Sequence, residues 1–259
     1  MTNYHISPKM GLVLLSALLA GVPGFAVAQQ VNIQTATLGQ VQKTAEISTE
    51  ELRRILAEQS ATVLDARPYM EFAVGHIPGA ANVSAKAGVP MSLYVSDVSE
   101  IERIVGGDKT TPIILYCNGP FCGKSTRLGE ELLQAGFSNV RRYQLGAPVW
   151  RALGGVMQVE PDGFRYIREN DRTARVYDTR PTSDYSGGTL QNVINLPNDE
   201  VARAKDDGRL PMEDHNTRIV VFGSTAAQAR TTAESIAKNA FHNVMFCADA
   251  FCKQELATR

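Results

Sequence analysis

Short apolar runs alternate with amphipathic segments along most of the chain. Residues 61–64 and 112–116 are apolar runs bounded by polar turns, which is typical of buried strands. Leu128, Leu132 and Leu133 then follow at helical spacing, and Gly136 is placed to end that helix. Buried strands that alternate with helices predict an α/β fold with a mainly parallel sheet flanked by helices.

Other helix and strand signals agree with this pattern. Ser48 and Glu51 have the spacing of a capping box, ahead of an apolar face that begins at Leu52, so a helix is predicted to begin there. Residues 140–143 predict a further strand, and residues 160–163 (EPDG) predict a turn between two domains.

The pattern occurs twice. Residues 63–68 (VLDARP) recur as 176–181 (VYDTRP), residues 113–117 (IILYC) as 219–223 (IVVFG), and residues 136–140 (GFSNV) as 240–244 (AFHNV). The matched blocks keep their order at a domain-sized shift, which indicates a tandem duplication. We predict one domain over residues 46–157 and a second over residues 165–259.

The first 45 residues differ from the rest. Residues 1–28 combine a basic start, an apolar stretch at 10–22 and the small residues Ala26 and Ala28, which predicts a cleaved signal peptide. The apolar stretch is shorter than the roughly 20 residues of a spanning helix, so no membrane span is expected after cleavage. Residues 29–45 predict a polar leader. The expected location is periplasmic or secreted.

Composition excludes several classes of partner and of site. The chain of 259 residues has 26 Lys+Arg and 27 Asp+Glu, and it shows no basic cluster that would favour nucleic acid or anionic membrane as a partner. The four cysteines form two close pairs without histidines at metal-ligand spacing. No metal and no cofactor are expected.

The candidate chemistry lies in the loop that follows the strand at 112–116. Ligands of parallel α/β sheets bind at the carboxyl ends of strands, and Cys117 stands at such an end. Glycines and a helix start can surround an anion with backbone N–H groups, which predicts a lowered pKa and a nucleophilic Cys117. The predicted substrate-binding residues are Asn118, Gly119, Pro120, Phe121, Cys122, Gly123, Lys124 and Ser125.

The chain resembles a tandem rhodanese (sulfurtransferase) protein. The resemblance rests on the LDAR motif at 64–67, the HIPGA turn at 76–80, the YC pair at 116–117 and a closing segment from Leu145 to Trp150. It implies that the Cys117 thiolate attacks a sulfane sulfur, becomes a persulfide and passes the sulfur to cyanide or a thiol, which is two-step covalent catalysis. The implied partners are a small sulfur-containing anion or thiol.

Two features depart from the family. Its common loop places an arginine about five residues after the cysteine, whereas here position 123 is glycine and the first cation is Lys124, which disfavours phosphatase chemistry. Cys122 could resolve a persulfide or form a disulfide with Cys117. Asp65, Arg67 and His76 are interpreted as structural groups near the site, since charged groups that pair near a domain edge usually orient turns.

The second copy is degenerate, because Gly223 occupies the position of Cys117. Cys247 and Cys252 repeat the spacing of the first pair after the last strand, and either a disulfide or two free thiols are compatible with the sequence.

The leading hypothesis is therefore an exported, thiosulfate sulfurtransferase-like enzyme acting through Cys117. The alternatives are a thiol–disulfide sensor or partner of a periplasmic redox protein that uses Cys117 and Cys122, and a non-catalytic binding module.

Overall fold

The computed structural model describes residues 32–39, 43–84, 98–185 and 192–248. Within these ranges no helix combines the length and the apolar character needed to cross a membrane. The predicted signal peptide lies outside the described residues.

The first half of the chain forms a five-stranded parallel sheet. Its strands are β1 (Ala45–Glu46), β2 (Thr62–Asp65), β3 (Ala81–Asn82), β4 (Ile113–Tyr116) and β5 (Val140–Tyr143), in the order β1-β5-β4-β2-β3. Its helices are α1 (Thr49–Glu58), α2 (Tyr69–Val74), α3 (Val98–Ile104), α4 (Lys124–Gln134) and α5 (Gly146–Ala152).

The second half repeats this topology. Its strands are β6 (Met157–Val159), β7 (Arg175–Asp178), β8 (Val193–Asn195), β9 (Ile219–Phe222) and β10 (Val244–Cys247), in the parallel order β6-β10-β9-β7-β8. Its helices are α6 (Pro161–Asn170), a 3-10 turn (Asn198–Glu200), α7 (Val201–Ala204) and α8 (Ala226–Ala237). The predicted fold class and the tandem repeat are confirmed.

The local signals explain where elements begin and end. The Ser48 side chain accepts a hydrogen bond from the Glu51 N–H at 3.1 Å, so it caps α1 as predicted. All four residues of β4 are buried, as expected of a central strand covered on both faces. After α4, Gly136 adopts φ +91°, a conformation in which glycine avoids the steric cost of a side chain.

At the domain edges the structure differs from the expectations in three places. Ala45 belongs to the edge strand β1, which pairs with Arg141 of β5, and is therefore not part of a leader. Residues 160–163 begin helix α6 rather than a turn, with Glu160 at the N-cap and Pro161 in the first turn. Proline fixes a backbone angle that suits a first helical turn as well as a loop. The second sheet already begins at Met157, inside the range predicted for the first domain.

The two halves share one apolar core. Ile114 and Trp150 of the first half belong to the same buried cluster as Val220 and Met245 of the second. The backbones of His76 and Gln158 form a two-bond bridge, with N···O distances of 2.9 and 2.8 Å. Helix α6 lies so close to α2 that a Cβ on Gly163 would stand 1.9 Å from the Ala73 carbonyl oxygen. The halves therefore form one packed body.

Candidate active site

Cys117 lies where β4 ends, at the start of the loop that leads into α4. The residue is buried, with 2% of its surface exposed. Its Sγ donates a hydrogen bond to the carbonyl oxygen of Cys122 at 3.2 Å and lies 3.4 Å from the Oγ of Ser125. Cys117 and Cys122 are both free thiols. The structure thus brings three of the predicted loop residues into direct contact.

The predicted fall in the pKa of Cys117 is wrong. Burial raises the pKa of the Cys117 thiol to about 11, and the hydrogen bond to Cys122 acts in the same direction, while Ser125 opposes both. The Cys122 contribution comes from its thiol side chain, and the carbonyl that accepts from the Cys117 sulfur likewise stabilises the thiol rather than the thiolate. The sequence pattern pointed to backbone N–H groups around the sulfur; the backbone N–H and the hydroxyl of Ser125 do lower the pKa of Cys117, but burial and Cys122 outweigh them.

A close backbone approach shapes the loop. Gly119 has φ +97°, and its carbonyl accepts a hydrogen bond from the Cys122 N–H at 3.0 Å. Gly146, at φ +67°, stands so near that a Cβ there would lie 2.4 Å from both the Cys117 oxygen and the Gly119 nitrogen. The N–H of Ala147 donates to the Cys117 carbonyl at 3.0 Å. The start of α5 therefore holds the loop from one side.

The remaining predicted loop residues divide between anchored and exposed positions. Asn118 donates a hydrogen bond to Glu71, and the Lys124 Nζ lies 4.0 Å from the same carboxylate. Phe121 is fully exposed. Gly123 occupies the N-cap position of α4 and leaves open space around its Cα. The tip of the loop thus faces solvent while both of its ends are held.

Asp65 and Arg67 form a buried ion pair beside the site. The Arg67 Nε and Nη2 donate to both carboxylate oxygens of Asp65 at 2.5–3.0 Å, and Nη2 also donates to the Gly75 carbonyl at 2.8 Å. Asn82 donates to the backbone oxygens of Asp65 and Arg67. These contacts tie the turn after β2 to the turn after α2.

The second half repeats this pair without the cysteine. Arg180 donates to both oxygens of Asp178, and Asn195 donates to the backbone oxygens of both residues. The ion pair is therefore retained in a copy that lacks the cysteine, which favours an orienting role for it.

His76 lies at the junction of the two halves and not at the sulfur. It is 1% exposed, and its ring stacks on Phe72 with centroids 3.8 Å apart. Its Nδ1 lies 3.1 Å from the Phe72 oxygen, and its Nε2 lies 3.5 Å from Glu160. Burial lowers the pKa of His76 to about 4.

Acid should destabilise the protein through His76. Because the folded-state pKa is below the unfolded value of about 6.5, the unfolded chain binds more protons as pH falls towards 4, and stability is lost in that window. We expect a loss of about 2 kcal/mol in the free energy of unfolding between pH 7 and pH 5 from this group. Urea unfolding at both pH values measures it, and His76→Gln should remove that part of the difference. A variant of the exposed His242 is the control, and an equal acid response of both variants would contradict the assignment.

The loop of the second half is closed by its own side chains. A Cβ on Gly223 would lie 2.7 Å from Cγ2 of Thr179 and 2.9 Å from Oε1 of Gln228. Gln228 accepts from the Ser224 N–H at 2.9 Å and donates to the Thr179 carbonyl at 3.0 Å. The amide of Gln228 thus occupies the space in which a thiol would stand.

The other cysteine pair lies at the last strand. Cys247 is disulfide-bonded, and its candidate partner Cys252 lies outside the described residues. Within residues 32–39, 43–84, 98–185 and 192–248, no three His, Cys, Asp or Glu side chains lie together in a group that could hold a metal ion.

Sequence reasoning missed a buried arginine next to the loop. Arg142 of β5 is 0% exposed and binds Thr44, Thr126 and Gln144. Two adjacent arginines on a strand covered by helices could have revealed it, because side chains alternate between the two faces and one of the pair must point inward.

The fold and the site of the described residues define a class: a duplicated α/β protein with a cysteine-bearing loop at the end of a central strand in its first half. The rhodanese-like domain model matches residues 48–153 and 164–251, and the chain belongs to that family. Sulfurtransferases are among its relatives at low identity.

The chain is similar to proteins of different description. Over 108 residues the chain is 30% identical to the thiosulfate sulfurtransferase GlpE of Pseudomonas aeruginosa, covering 41% of this chain and 84% of that protein. Over 108 residues it is also 31% identical to an HTH-type transcriptional regulator of Mycobacterium tuberculosis. That match covers 42% of this chain and 42% of the regulator. A solved 3-mercaptopyruvate sulfotransferase structure from Escherichia coli covers 79% of this chain and 97% of that one, at 15% identity and a TM-score of 0.36.

Proposed function

We propose that the protein is a sulfurtransferase that moves sulfane sulfur through a persulfide on Cys117. The observation that supports this most directly is a free cysteine at the carboxyl end of the central strand β4, beside the start of α4. The resting thiol first loses its proton to water. The thiolate then attacks the outer sulfur of a donor such as thiosulfate, the donor's S–S bond breaks, and sulfite leaves with the electron pair.

The second step regenerates the thiolate. An acceptor nucleophile, cyanide or a thiolate, attacks the outer sulfur of the persulfide, and Cys117 leaves with the electron pair of the broken S–S bond. Oxidation states balance over the two steps, so neither a metal nor a redox cofactor is required. His76 has no part in this chemistry, because it lies in the junction between the halves.

An anionic donor suits the cleft beside the loop. Asn118 shares this cleft with three arginines from both halves of the chain, Arg67, Arg151 and Arg218, and with one carboxylate, that of Glu71, which accepts a hydrogen bond from Asn118. Asp65 pairs with Arg67 and Asp171 with Arg218, whereas Arg151 has no carboxylate partner among the described residues. Burial, together with repulsion from the other two guanidinium groups, lowers the pKa of Arg151. An anion placed there would relieve that repulsion.

Mass spectrometry of the reduced protein after thiosulfate treatment tests the proposal. We expect the peptide that contains Cys117 to gain the mass of one sulfur atom and to lose it again on addition of cyanide. Iodoacetamide added before thiosulfate should prevent the gain. A reduced, folded protein that gains no sulfur on this peptide would refute the proposal.

The thiol–disulfide alternative requires the sulfurs of Cys117 and Cys122 to meet. The Cys117 sulfur donates a hydrogen bond to the backbone carbonyl of Cys122, the two thiol side chains also interact with each other, and both thiols are free. A Cys122→Ser variant separates this alternative from sulfur transfer. The binding-module alternative does not explain an intact cysteine in the first copy beside a closed loop in the second. Sulfur transfer therefore remains the proposal.

Export from the cytoplasm forms part of the same proposal. The disulfide at Cys247 supports an oxidising compartment, where such bonds persist. We expect removal of residues 1–28, and N-terminal sequencing of the exported protein checks this. Retention of Met1 on the exported protein would contradict it.

A further inference from the structure

We propose that Arg142 is a positioning residue for Cys117: its buried guanidinium anchors the middle and the end of the cysteine loop and places a buried positive charge near the sulfur. This inference deepens the proposed function and rests on it for its biological meaning. Its test, however, measures the chemistry of the thiol and does not require sulfur transfer.

The side chain of Arg142 is enclosed by three elements. It extends from β5, the neighbour of β4 in the sheet, and is wholly buried. Its Nε donates to Oγ1 of Thr44 at 2.5 Å, its Nη1 donates to Oγ1 of Thr126 at 2.9 Å, and Gln144 accepts a further hydrogen bond from Nη1. A buried arginine with several fixed donors has a defined position, because the planar fork permits few alternatives.

Two of these contacts lead to the cysteine loop. Gln144 donates from its Nε2 to the carbonyl of Pro120 at 3.1 Å, within the loop. Thr126 stands in the first turn of α4, directly after Ser125, whose Oγ lies 3.4 Å from the Cys117 sulfur. Arg142 thus holds the middle of the loop through Gln144 and its end through Thr126.

The charge of Arg142 acts on the same sulfur. Three ionisable groups interact with the guanidinium: Glu46 on β1, Glu130 on α4, and Cys117 itself. Burial lowers the pKa of Arg142, and negative charge on each of these groups raises it. The interaction between the two groups is mutual, so a cationic Arg142 favours the Cys117 thiolate, while burial, Cys122 and Ser125 are the main influences on the pKa of that thiol. It offsets part of the burial that raises the pKa of the thiol.

The second copy provides an independent comparison within the chain. The sheet pairings place Phe246 at the position of Arg142, and the same shift places Ala248 at that of Gln144 and Arg230 at that of Thr126. At the edge strand, Val156 takes the place of Thr44. The copy that lacks the cysteine also lacks the arginine and the three side chains that accept its hydrogen bonds, while it retains the Asp–Arg pair. The Arg142 network is therefore present in the copy that has the cysteine, and the fold of the other copy forms without it.

The pH dependence of Cys117 alkylation tests the proposal. Iodoacetamide reacts with the thiolate, so the rate of modification of the Cys117 peptide at a fixed pH reports the thiolate fraction. We expect Arg142→Met to slow alkylation severalfold at pH 8.5, because the guanidinium charge and the hydrogen bonds that anchor the loop are lost together. Arg141→Gln is the matched control, because Arg141 is the adjacent residue of β5 and pairs with Glu51 near the surface. Its alkylation rate should stay at the wild-type value.

A second variant keeps Arg142 and is expected to raise the alkylation rate of Cys117 instead of lowering it. The Oε1 of Glu46 lies 3.9 Å from Arg142, while its Oε2 accepts from the N–H groups of Leu38 and Gly39, which a glutamine oxygen can replace. Glu46→Gln should therefore speed alkylation of Cys117, and this arm decides the question if Arg142→Met fails to fold. Unchanged rates in folded Arg142→Met, or an unchanged rate in Glu46→Gln, would overturn the proposal. If these rates change but the wild-type protein gains no sulfur from thiosulfate, the proposed function fails and the assignment of Arg142 stands.

Discussion

Replacing Cys117 with serine is expected to abolish sulfur loading and to reduce sulfurtransferase turnover by at least about 1,000-fold. A serine hydroxyl has a far higher pKa than a thiol and offers no sulfur with which to form a persulfide. The residue lies at a strand end with its sulfur beside the Cys122 carbonyl and the Ser125 hydroxyl, and a hydroxyl can make both contacts. The fold should therefore persist, and the loss should be specific to the chemistry.

Cys122→Ser is the matched control for this experiment. The substitution keeps the Cys122 carbonyl that accepts from the Cys117 sulfur, and it replaces the thiol side chain that also interacts with Cys117 by a hydroxyl of similar size. Under reducing conditions we expect it to load sulfur and turn over at close to the wild-type rate. Turnover by Cys117→Ser at the wild-type rate would show that another group does the chemistry, and poor turnover by Cys122→Ser with trapped persulfide would favour a resolving thiol.

Gly163→Ala is expected to lower the free energy of unfolding by about 3 kcal/mol or more, through overpacking against backbone. The new Cβ would stand 1.9 Å from the oxygen and 2.2 Å from the carbonyl carbon of Ala73. Neither atom belongs to a flexible side chain, so α6 must move away from α2. That movement would also strain the bridge between His76 and Gln158. Urea unfolding at pH 7 measures the loss.

Gly75→Ala is the control at the same junction. Gly75 has extended backbone angles that any residue adopts, and its nearest neighbour to a new Cβ would be the Met157 side chain at an ordinary 3.5 Å. Its stability should stay within about 0.5 kcal/mol of the wild type. Equal stability of the two glycine variants would show that the halves pack less closely than the structure has them.

Local signals predicted the framework of the first half well. The cap at Ser48, the buried strand before Cys117 and the glycine after α4 each depend on a few consecutive residues, and the structure places each of these elements where its signal lies. The duplication also followed from sequence, because Asp178 and Arg180 repeat Asp65 and Arg67 at a fixed shift.

Features that depend on distant partners could not be predicted. The edge strand β1 has only two residues, and its pairing with β5 leaves no periodic pattern in the sequence. The raised pKa of Cys117 arises mainly from burial, which depends on the packing of the whole fold. The loop is held by Gly146 and Ala147 at the start of α5, which lies later in the chain. The cleft arginines come from both halves of the chain, so their meeting depends on how the halves pack.

The closed loop of the second half limits the number of sulfur atoms that one chain can carry. With the amide of Gln228 in the space beside Gly223, we expect the duplicated chain to load a single sulfur atom at its two rhodanese-type loops, whatever the excess of donor. Each chain would then deliver one equivalent per cycle. Duplication would then have doubled the length of the chain without increasing the number of sulfur atoms that it carries.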